Sequence, residues 1–242
     1  MTGEQARPFL SVVIPAYNEE SRLVPTLARI RRYLAAQDYQ SEIIVVDNAS
    51  ADRTGEVARE AGVQVLHEPR RGKGAAVRTG MLAARGERVL FSDADLSTPI
   101  EEVEKLLGAL KAGSDIAIAS RALPGSNIAV HQPWHREIVG RAGNLLVRML
   151  AVHGIADTQC GFKLFPREIA QRLFGAQLMT GIAFDMEVLF LAQRLGLRIA
   201  EVPVTWVDDP DTRFSRFRDS LDAIKDLFRI RWNWMRGRYR VQ

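Results

Sequence analysis

Apolar runs of strand length alternate along the first half of the chain with stretches whose apolar residues recur every three or four positions. Phe9-Leu10-Ser11-Val12-Val13-Ile14-Pro15 is followed by Leu23, Leu27, Ile30 and Leu34 at helical spacing. Glu42-Ile43-Ile44-Val45-Val46-Asp47 precedes a helix expected from about Asp52, and Val63-Gln64-Val65-Leu66 precedes one expected from about Lys73 to Ala84. Val89-Leu90-Phe91-Ser92 ends in Asp93, with a helix start at Pro99-Ile100-Glu101-Glu102, and Asp115-Ile116-Ala117-Ile118-Ala119 completes the series. Strands that are apolar on both faces and alternate with helices predict an α/β fold with a mainly parallel, doubly wound sheet. Such sheets bind ligands outside the carboxyl ends of their strands.

That rule gathers polar residues into one crevice. Tyr17, Asn18 and Glu19 follow the first strand, Asp47 and Asn48 end the second, Asp93 and Asp95 end the fourth, and Ser120 and Arg121 follow the fifth. Two carboxylates one residue apart at a strand tip repel each other and resist desolvation. A divalent cation shared with a phosphorylated substrate relieves both costs. The plainer alternative is that Asp95 or Ser97 caps the next helix while Asp93 meets water. Arg70-Arg71-Gly72-Lys73-Gly74 brings cations and small residues to the end of the third strand, a setting suited to phosphate although the Walker spacing is absent.

Near the carboxyl terminus, Phe214, Phe217, Leu221, Ile224, Phe228, Trp232, Met235 and Tyr239 form an apolar stripe at helical intervals, with Arg216, Arg218, Lys225, Arg229, Arg231 and Arg236 beside it. This predicts a basic amphipathic helix over 213–242, appended to a domain over 1–212. The stripe suits either a core contact or a membrane interface, and its later part, Phe228 to Tyr239, is the stretch expected to meet a bilayer. The charge distribution sharpens this: net charge is only +4, yet nine Lys/Arg face three Asp from Arg213 onward, so the remainder is mildly acidic.

With 242 residues and 47% hydrophobic composition the chain can build one sizeable core. No apolar segment approaches the ~20 residues that span a bilayer, and Met1 to Pro8 lacks the order of a secretory signal, so a cytoplasmic protein is expected. Cys160 stands alone, which excludes an intrachain disulfide, and the four histidines are scattered. Nucleic-acid binding is poorly supported, because the body is not basic and carries no recognised reading motif.

Ile14-Pro15-Ala16-Tyr17-Asn18-Glu19, Val45-Val46-Asp47-Asn48-Ala49-Ser50, Arg71-Gly72-Lys73-Gly74 and Asp93-Ala94-Asp95 resemble, in order, the motifs of the inverting family 2 glycosyltransferases and their GT-A nucleotide-sugar fold. Asp157-Thr158-Gln159-Cys160-Gly161-Phe162-Lys163-Leu164-Phe165, Phe184-Asp185-Met186-Glu187-Val188-Leu189 and Glu201-Val202-Pro203-Val204-Thr205-Trp206 are similar to a narrower group, the dolichyl-phosphate β-glucosyltransferases and their polyprenyl-phosphate relatives.

The resemblance implies that Pro15, Tyr17, Glu19 and Asp47 meet the base and ribose of the donor, that Lys73, Asp93 and Ala94 lie beside them, and that Asp95 coordinates Mg²⁺ or Mn²⁺ bridging the diphosphate. Ser97 stands where relatives often place a metal-assisting Gln, and Asn48 replaces the second Asp of the common Asp-Asp-Gly-Ser form. The implied reaction moves a hexose, glucose from UDP-glucose in first place, onto polyprenyl phosphate at the cytoplasmic face of a membrane. GDP-mannose as donor, a soluble acceptor, and a catalytically silent nucleotide-binding or membrane-tethering module remain as alternatives. An acceptor phosphate is already anionic and needs no strong base, but it needs cations around it. Lys163, Arg121 and Arg213 are the candidates, with Arg136 and Arg141 behind them. Asp185 stands where hydroxyl-directed relatives keep a base; here it is expected to position substrate or a basic side chain, or simply to cap its helix.

Overall fold

The computed structural model describes residues 7–128, 152–207 and 216–241, the side chains of 128 and 216–224 excepted. Strand β1 (Leu10–Ala16) is followed by α1 (Glu20–Ala35), β2 (Ser41–Asp47), α2 (Thr54–Glu60), β3 (Gln64–His67), α3 (Lys73–Ala83) and β4 (Arg88–Ser92). A 3-10 turn (Ile100–Glu102) then runs into α4 (Val103–Lys111), before β5 (Ile116–Ser120) and the short β6 (Asn127–Ile128). The later elements are β7 (Phe162–Pro166), α5 (Arg167–Ala176), α6 (Phe184–Arg194), β8 (Ile199–Pro203), β9 (Thr205–Trp206) and α7 (Arg216–Met235).

Seven strands form one sheet in the order β3-β2-β1-β4-β7-β5-β8, and β6 pairs with β9 in a separate two-stranded ribbon. The pairs β1–β2, β1–β4, β2–β3 and β5–β8 are parallel. The apolar runs are continuous because both faces are covered. Val13, Ile44, Val46, Phe91, Ile118 and Phe165 pack with residues of α3, α5 and α6, while Val12, Ile14, Val45, Leu90, Ala117 and Leu164 pack with α1 and α4. Successive residues of a strand point to opposite faces, so each strand must be apolar throughout to fill two cores.

One strand departs from the expected series. The fourth and fifth strands are not neighbours, because β7 lies between them and runs antiparallel to both. Reversal of direction has a functional consequence: β7 presents its amino end where its neighbours present their carboxyl ends. Phe162 pairs with Ser92, and the Asp93 N–H donates to the Gly161 carbonyl at 3.0 Å. The Asp157–Phe165 motif is thereby drawn against the acidic tip of β4.

The carboxyl-terminal helix forms, but its later part is two-sided. Leu227 and Ile230 are buried in the core shared with α6, and Trp234 meets Phe190 edge-on with centroids 5.8 Å apart. Phe228, Trp232 and Met235 point the other way and are 60%, 51% and 71% exposed. Tyr239 corrects the expected stripe. The helix ends at Met235, Gly237 turns the chain at φ 62°, and Tyr239 folds back to burial. A left-handed residue just past the last helical turn suits glycine and ends the helical repeat, so Tyr239 belongs to the core and not to the exposed face. Phe214 and the side chains of Phe217, Leu221 and Ile224 lie outside the described residues. Among the described residues no helix is long and apolar enough to cross a membrane.

Helix α3 rests on the sheet at Gly80, where an added Cβ would overlap Val13 Cγ1 and come within 2.9 Å of Val46 Cγ2. Overpacking costs about 1–3 kcal/mol, and the gain in helix propensity of about 1 kcal/mol only partly offsets it. Gly80→Ala is therefore expected to lower the urea midpoint at unchanged m-value, and an unchanged or raised midpoint would refute this contact as the reason for glycine.

Candidate active site

Three loops following β1, β2 and β4 carry the only non-glycine residues with positive φ among the described residues: Asn18 at 54°, Ala49 at 55° and Leu96 at 50°. Left-handed backbone at such residues is uncommon and persists where surrounding contacts enforce it. Here the contacts are visible. The Asn18 N–H donates to Ser50 Oγ at 3.0 Å, Asn18 Oδ1 accepts from the Ala51 N–H at 2.8 Å, and the Glu19 N–H donates to Thr54 Oγ1 at 2.8 Å. The first two loops are thus stitched into one rim, in which Pro15 pairs in register with Val46 and Ala16 with Asp47. Tyr17 is 42% exposed on this rim, with the Arg71 guanidinium 5.2 Å from its ring centroid.

At the tip of β2, Asp47 accepts from the Ser50 N–H at 3.1 Å and lies 3.5 Å from His67 Nδ1. Asn48 does more than omit a charge. Its Nδ2 donates to the carbonyls of Glu68 (3.1 Å) and Arg70 (2.8 Å), while its Oδ1 accepts from the Gly72 N–H at 2.8 Å. A carboxylate cannot donate, so an amide is required to bracket 68–72 in this way. Glu68 braces the same turn: hydrogen bonds from Arg70 and Thr79 outweigh its burial and hold its carboxyl down at about 2.

That bracket delivers Lys73, the first residue of α3. Lys73 Nζ lies 2.6 Å from Asp93 Oδ1. Burial opposes the lysine's charge, but Asp93 and Asp185 outweigh it and keep it protonated. The glycines on either side of Lys73 have a packing reason. A Cβ on Gly72 would strike the Thr180 carbonyl, and one on Gly74 would come within 2.7 Å of the Met179 carbonyl. Small residues here let α3 press against the Met179–Gly181 loop; the structure does not require them for phosphate contact.

Asp95 accepts from the Ser97 N–H at 3.0 Å, and the Ser97 carbonyl accepts from the Val207 N–H at 2.8 Å. Burial first, and Asp93 second, push the Asp95 carboxyl above the usual range. A carboxylate in that condition gains from a nearby cation. Among the described residues no group of three or more His, Cys, Asp or Glu could surround a metal by itself. Asp93 and Asp95 offer hard oxygen donors and leave most positions to water and phosphate, which fits the way Mg²⁺ and related ions bind with phosphorylated substrates.

Next to these residues lie two ion pairs, one buried and one half-open. Lys163 Nζ donates to Asp185 Oδ1 at 2.6 Å, both side chains being at most 5% exposed, and it also donates to the Cys160 carbonyl. Burial raises the Asp185 pKa against the opposing pull of Lys163 and Lys73. Asp185 sits in the first turn of α6 but faces Lys163, and the helix has no side-chain hydrogen bond at its N-cap. Arg121 grips Asp157 through Nε–Oδ2 at 2.7 Å and a second nitrogen to Oδ1 at 2.8 Å, and its guanidinium lies 5.5 Å from the Trp206 ring. Burial again opposes both charges, and each partner outweighs it for the other. Cys160 is buried, and burial pushes its thiol up to about 11, so it remains protonated and a poor nucleophile.

Pro15, Tyr17, Glu19, Asp47, Lys73, Asp93, Ala94, Asp95 and Ser97 thus lie on adjoining strand ends, with Arg121, Lys163 and Asp185 in the layer next to them. Arg213, Arg136 and Arg141 lie outside the described residues. Reading the sequence missed Asp157, which fixes Arg121, and Gly161, whose Cα abuts the Asp93 carboxylate so closely that any Cβ would overlap it. Both sit in the Asp157–Phe165 motif, whose run of conspicuous residues is the one local signal of them.

Residues 11–174 match the family described as Glycosyl transferase family 2. The chain belongs to that family. The dolichyl-phosphate beta-glucosyltransferase of Drosophila melanogaster is 39% identical over 96% of this chain and 77% of its own length. That of Homo sapiens is 37% identical over 96% and 78%, and that of Dictyostelium discoideum 34% identical over 97% and 77%. Among solved structures, glucosyl-3-phosphoglycerate synthase from Mycobacterium tuberculosis, in complex with Mn²⁺, uridine-diphosphate-glucose and phosphoglyceric acid, superposes with a TM-score of 0.72 at 25% identity, covering 93% of this chain and 80% of that one. Mannosyl-3-phosphoglycerate synthase from Rubrobacter xylanophilus shares the fold, with a TM-score of 0.72 at 21% identity over 96% and 76% of the two chains. The expected GT-A fold is the fold of this family 2 member.

Two substitutions test the geometry. Gly161→Ala is expected to displace the Asp93 carboxylate by about 1 Å and lower turnover by about 100-fold while the protein still unfolds cooperatively; unaltered turnover would show that Asp93 tolerates displacement. Asn48→Asp removes two donors from the 68–72 turn and is expected to cost about 1–3 kcal/mol of stability, measured by urea unfolding. Equal stability would mean that the turn holds without the amide.

Proposed function

We propose that this family 2 protein transfers glucose from UDP-glucose to a polyprenyl phosphate, with inversion and with a divalent ion bound beside the diphosphate. The observation that carries this is the Asp93–Ala94–Asp95 tip, buried enough to raise Asp95 and ringed by Lys73 and the rims of β1 and β2. Relatives that match nearly the whole chain are dolichyl-phosphate beta-glucosyltransferases, and a structural neighbour binds UDP-glucose with Mn²⁺.

In this reading Tyr17, Glu19 and Asp47 receive the base and ribose, Lys73 meets the diphosphate, and Asp93 and Asp95 would hold Mg²⁺ or Mn²⁺. The ion supplies charge that stabilises the departing UDP. The acceptor phosphate oxygen attacks the anomeric carbon from the face opposite UDP; one C–O bond forms as the other breaks. No proton need be removed, so Asp185 serves by holding Lys163 in place. Arg121, kept charged and oriented by Asp157, faces the acceptor phosphate, with Arg213 as a further cation. Residues 1–212, joined by Arg213 at the border, supply the chemistry, and the rest of 213–242 brings it to the lipid. There the exposed face of Phe228, Trp232 and Met235, flanked by Arg229, Arg231 and Arg236, rests on an anionic cytoplasmic membrane surface.

A second reading is transfer to a soluble phosphorylated acceptor, favoured by the phosphoglyceric acid bound to the mycobacterial neighbour. The two separate cleanly. Purified protein is incubated with radiolabelled UDP-glucose or GDP-mannose, Mn²⁺ or Mg²⁺, and either polyprenyl phosphate or phosphoglyceric acid. The expected result is label from UDP-glucose in the lipid phase, abolished by chelator and lowered about 1,000-fold or more in Asp95→Ala, a loss of several kcal/mol of transition-state stabilisation. Label only in a water-soluble product would establish the second reading, and no lipid label from any donor would sink the first.

Membrane contact is tested separately by co-sedimentation with phosphatidylcholine/phosphatidylglycerol vesicles. Replacing Phe228, Trp232 and Met235 together by Ala is expected to weaken binding by about 100-fold or more, at roughly 1.5–3 kcal/mol for each side chain fully withdrawn from water. Equal sedimentation of both proteins would remove this face from the lipid contact.

A further inference from the structure

Glu187 is fully buried, two residues beyond Asp185 on α6, and lies outside the layer of charged pairs under the donor crevice. Its carboxylate closes a junction between three segments. Oε2 accepts from the N–H groups of Leu178 (3.0 Å) and Met179 (2.8 Å), and Oε1 accepts from the Tyr239 hydroxyl at 2.8 Å. A buried carboxylate is costly unless its oxygens are engaged. Here two adjacent backbone donors converge on one oxygen, and the buried one, the Met179 N–H, would be orphaned without it.

The loop so held is the seat of α3. The Thr180 carbonyl accepts from the Ala75 N–H at 3.1 Å. Gln177 Nε2 donates to the carbonyls of Gly74 (2.9 Å) and Met179 (2.6 Å), joining the two backbones directly. Gly72 and Gly74 press against the same loop with no room for a side chain. Lys73 stands between these two glycines, so its backbone is located by residues 177–181, and residues 178–179 are located by Glu187.

Building on the donor-site role of Lys73 proposed above, we infer that Glu187 is a positioning residue for the nucleotide-sugar diphosphate: it fixes the 178–181 loop, and through it aims Lys73 at the mouth of the crevice. The work is done by acceptor geometry and not by negative charge. A glutamine can turn its oxygen to the two backbone donors and its amide nitrogen to the Tyr239 oxygen, so Glu187→Gln preserves the junction, whereas Glu187→Ala releases the Leu178 N–H and leaves the buried Met179 N–H unsatisfied.

The test is calorimetric titration of UDP with Mn²⁺ into the full-length protein, Glu187→Ala, Glu187→Gln, Lys73→Ala and the Glu187→Ala/Lys73→Ala double variant, each checked for cooperative thermal unfolding. Glu187→Ala is expected to weaken UDP binding about tenfold or more and Glu187→Gln by less than about threefold, a tenfold change being the scale of one well-placed hydrogen bond. In the Lys73→Ala background the Glu187→Ala effect should largely disappear, because the lysine through which it acts is gone. A general loss of packing would not give that result. Effects that simply add, or a Glu187→Gln as impaired as the alanine variant, would overturn the inference. Failure of the unaltered protein to bind UDP would instead overturn the donor-site reading. If Glu187→Ala does not fold, Gln177→Ala breaks the next link of the chain: weakening of threefold or more that vanishes without Lys73 supports the inference, and unchanged UDP affinity refutes it.

Discussion

The acidic tip of β4 depends on how closely β7 approaches it. Asp93 holds its backbone by donating to the Gly161 carbonyl, and its carboxylate lies where any side chain at 161 would be. The antiparallel entry of β7 therefore sets the carboxylate from one side while Lys73 sets it from the other. Everything else in the crevice is arranged around that fixed point: the Asn48 bracket orders the turn leading to Lys73, and the Met179–Gly181 loop seats the helix that carries it.

Charge explains why this arrangement calls for a metal together with a donor. Asp93, Asp95, Asp157 and Asp185 are near one another, with Lys73, Arg121 and Lys163 among them. Among the described residues these three cations fall short of the four carboxylates, and Asp95 is the one with no ion pair of its own, its pKa raised by burial and by Asp93 against the weaker pull of Lys73. A bare diphosphate entering this site would deepen the negative excess and compete with Asp93 for Lys73. A divalent ion arriving with the diphosphate would cancel most of the added charge and would give Asp95 a partner. Coulomb interactions in a partly desolvated crevice are strong enough for that balance to govern binding.

The fold was largely legible because its signal is local and repetitive. Continuous apolar runs such as Leu10–Ala16 and Ile116–Ser120 have to be strands buried on both faces, and the strand-end rule then located Tyr17, Asp47, Asp93 and Arg121 with no knowledge of packing. Lys163 interrupts the apolar run of β7, so the local pattern does not mark it as a strand. A lysine in the middle of a sheet is compatible with the core only through Asp185, which is 22 residues away and invisible to any local pattern. The same limit hid Asp157, Gly161 and Glu187, whose purposes lie in long-range contacts. Tyr239 fitted a helical stripe numerically, but Gly237 ends the helix before it, and spacing alone does not register a change of backbone hand.

The buried pair of Lys163 and Asp185 bears on the kind of acceptor the site favours. A general base for a sugar or lipid hydroxyl must reach the hydroxyl proton through an oxygen free to accept it. Burial raises Asp185 in the direction a base requires, but one of its oxygens already receives the Lys163 ammonium at 2.6 Å, and both side chains are almost wholly enclosed. Drawing Asp185 out to accept a proton would strand a charged lysine in the core, a cost of several kcal/mol. An acceptor that arrives already ionised avoids that cost. What it needs is a cation at its phosphate, and in the proposed reading Arg121, about a third exposed and held by Asp157 beside Trp206, would supply one without giving up its partner. The electrostatics of the floor thus favour a phosphate acceptor independently of the identity of the lipid that carries it.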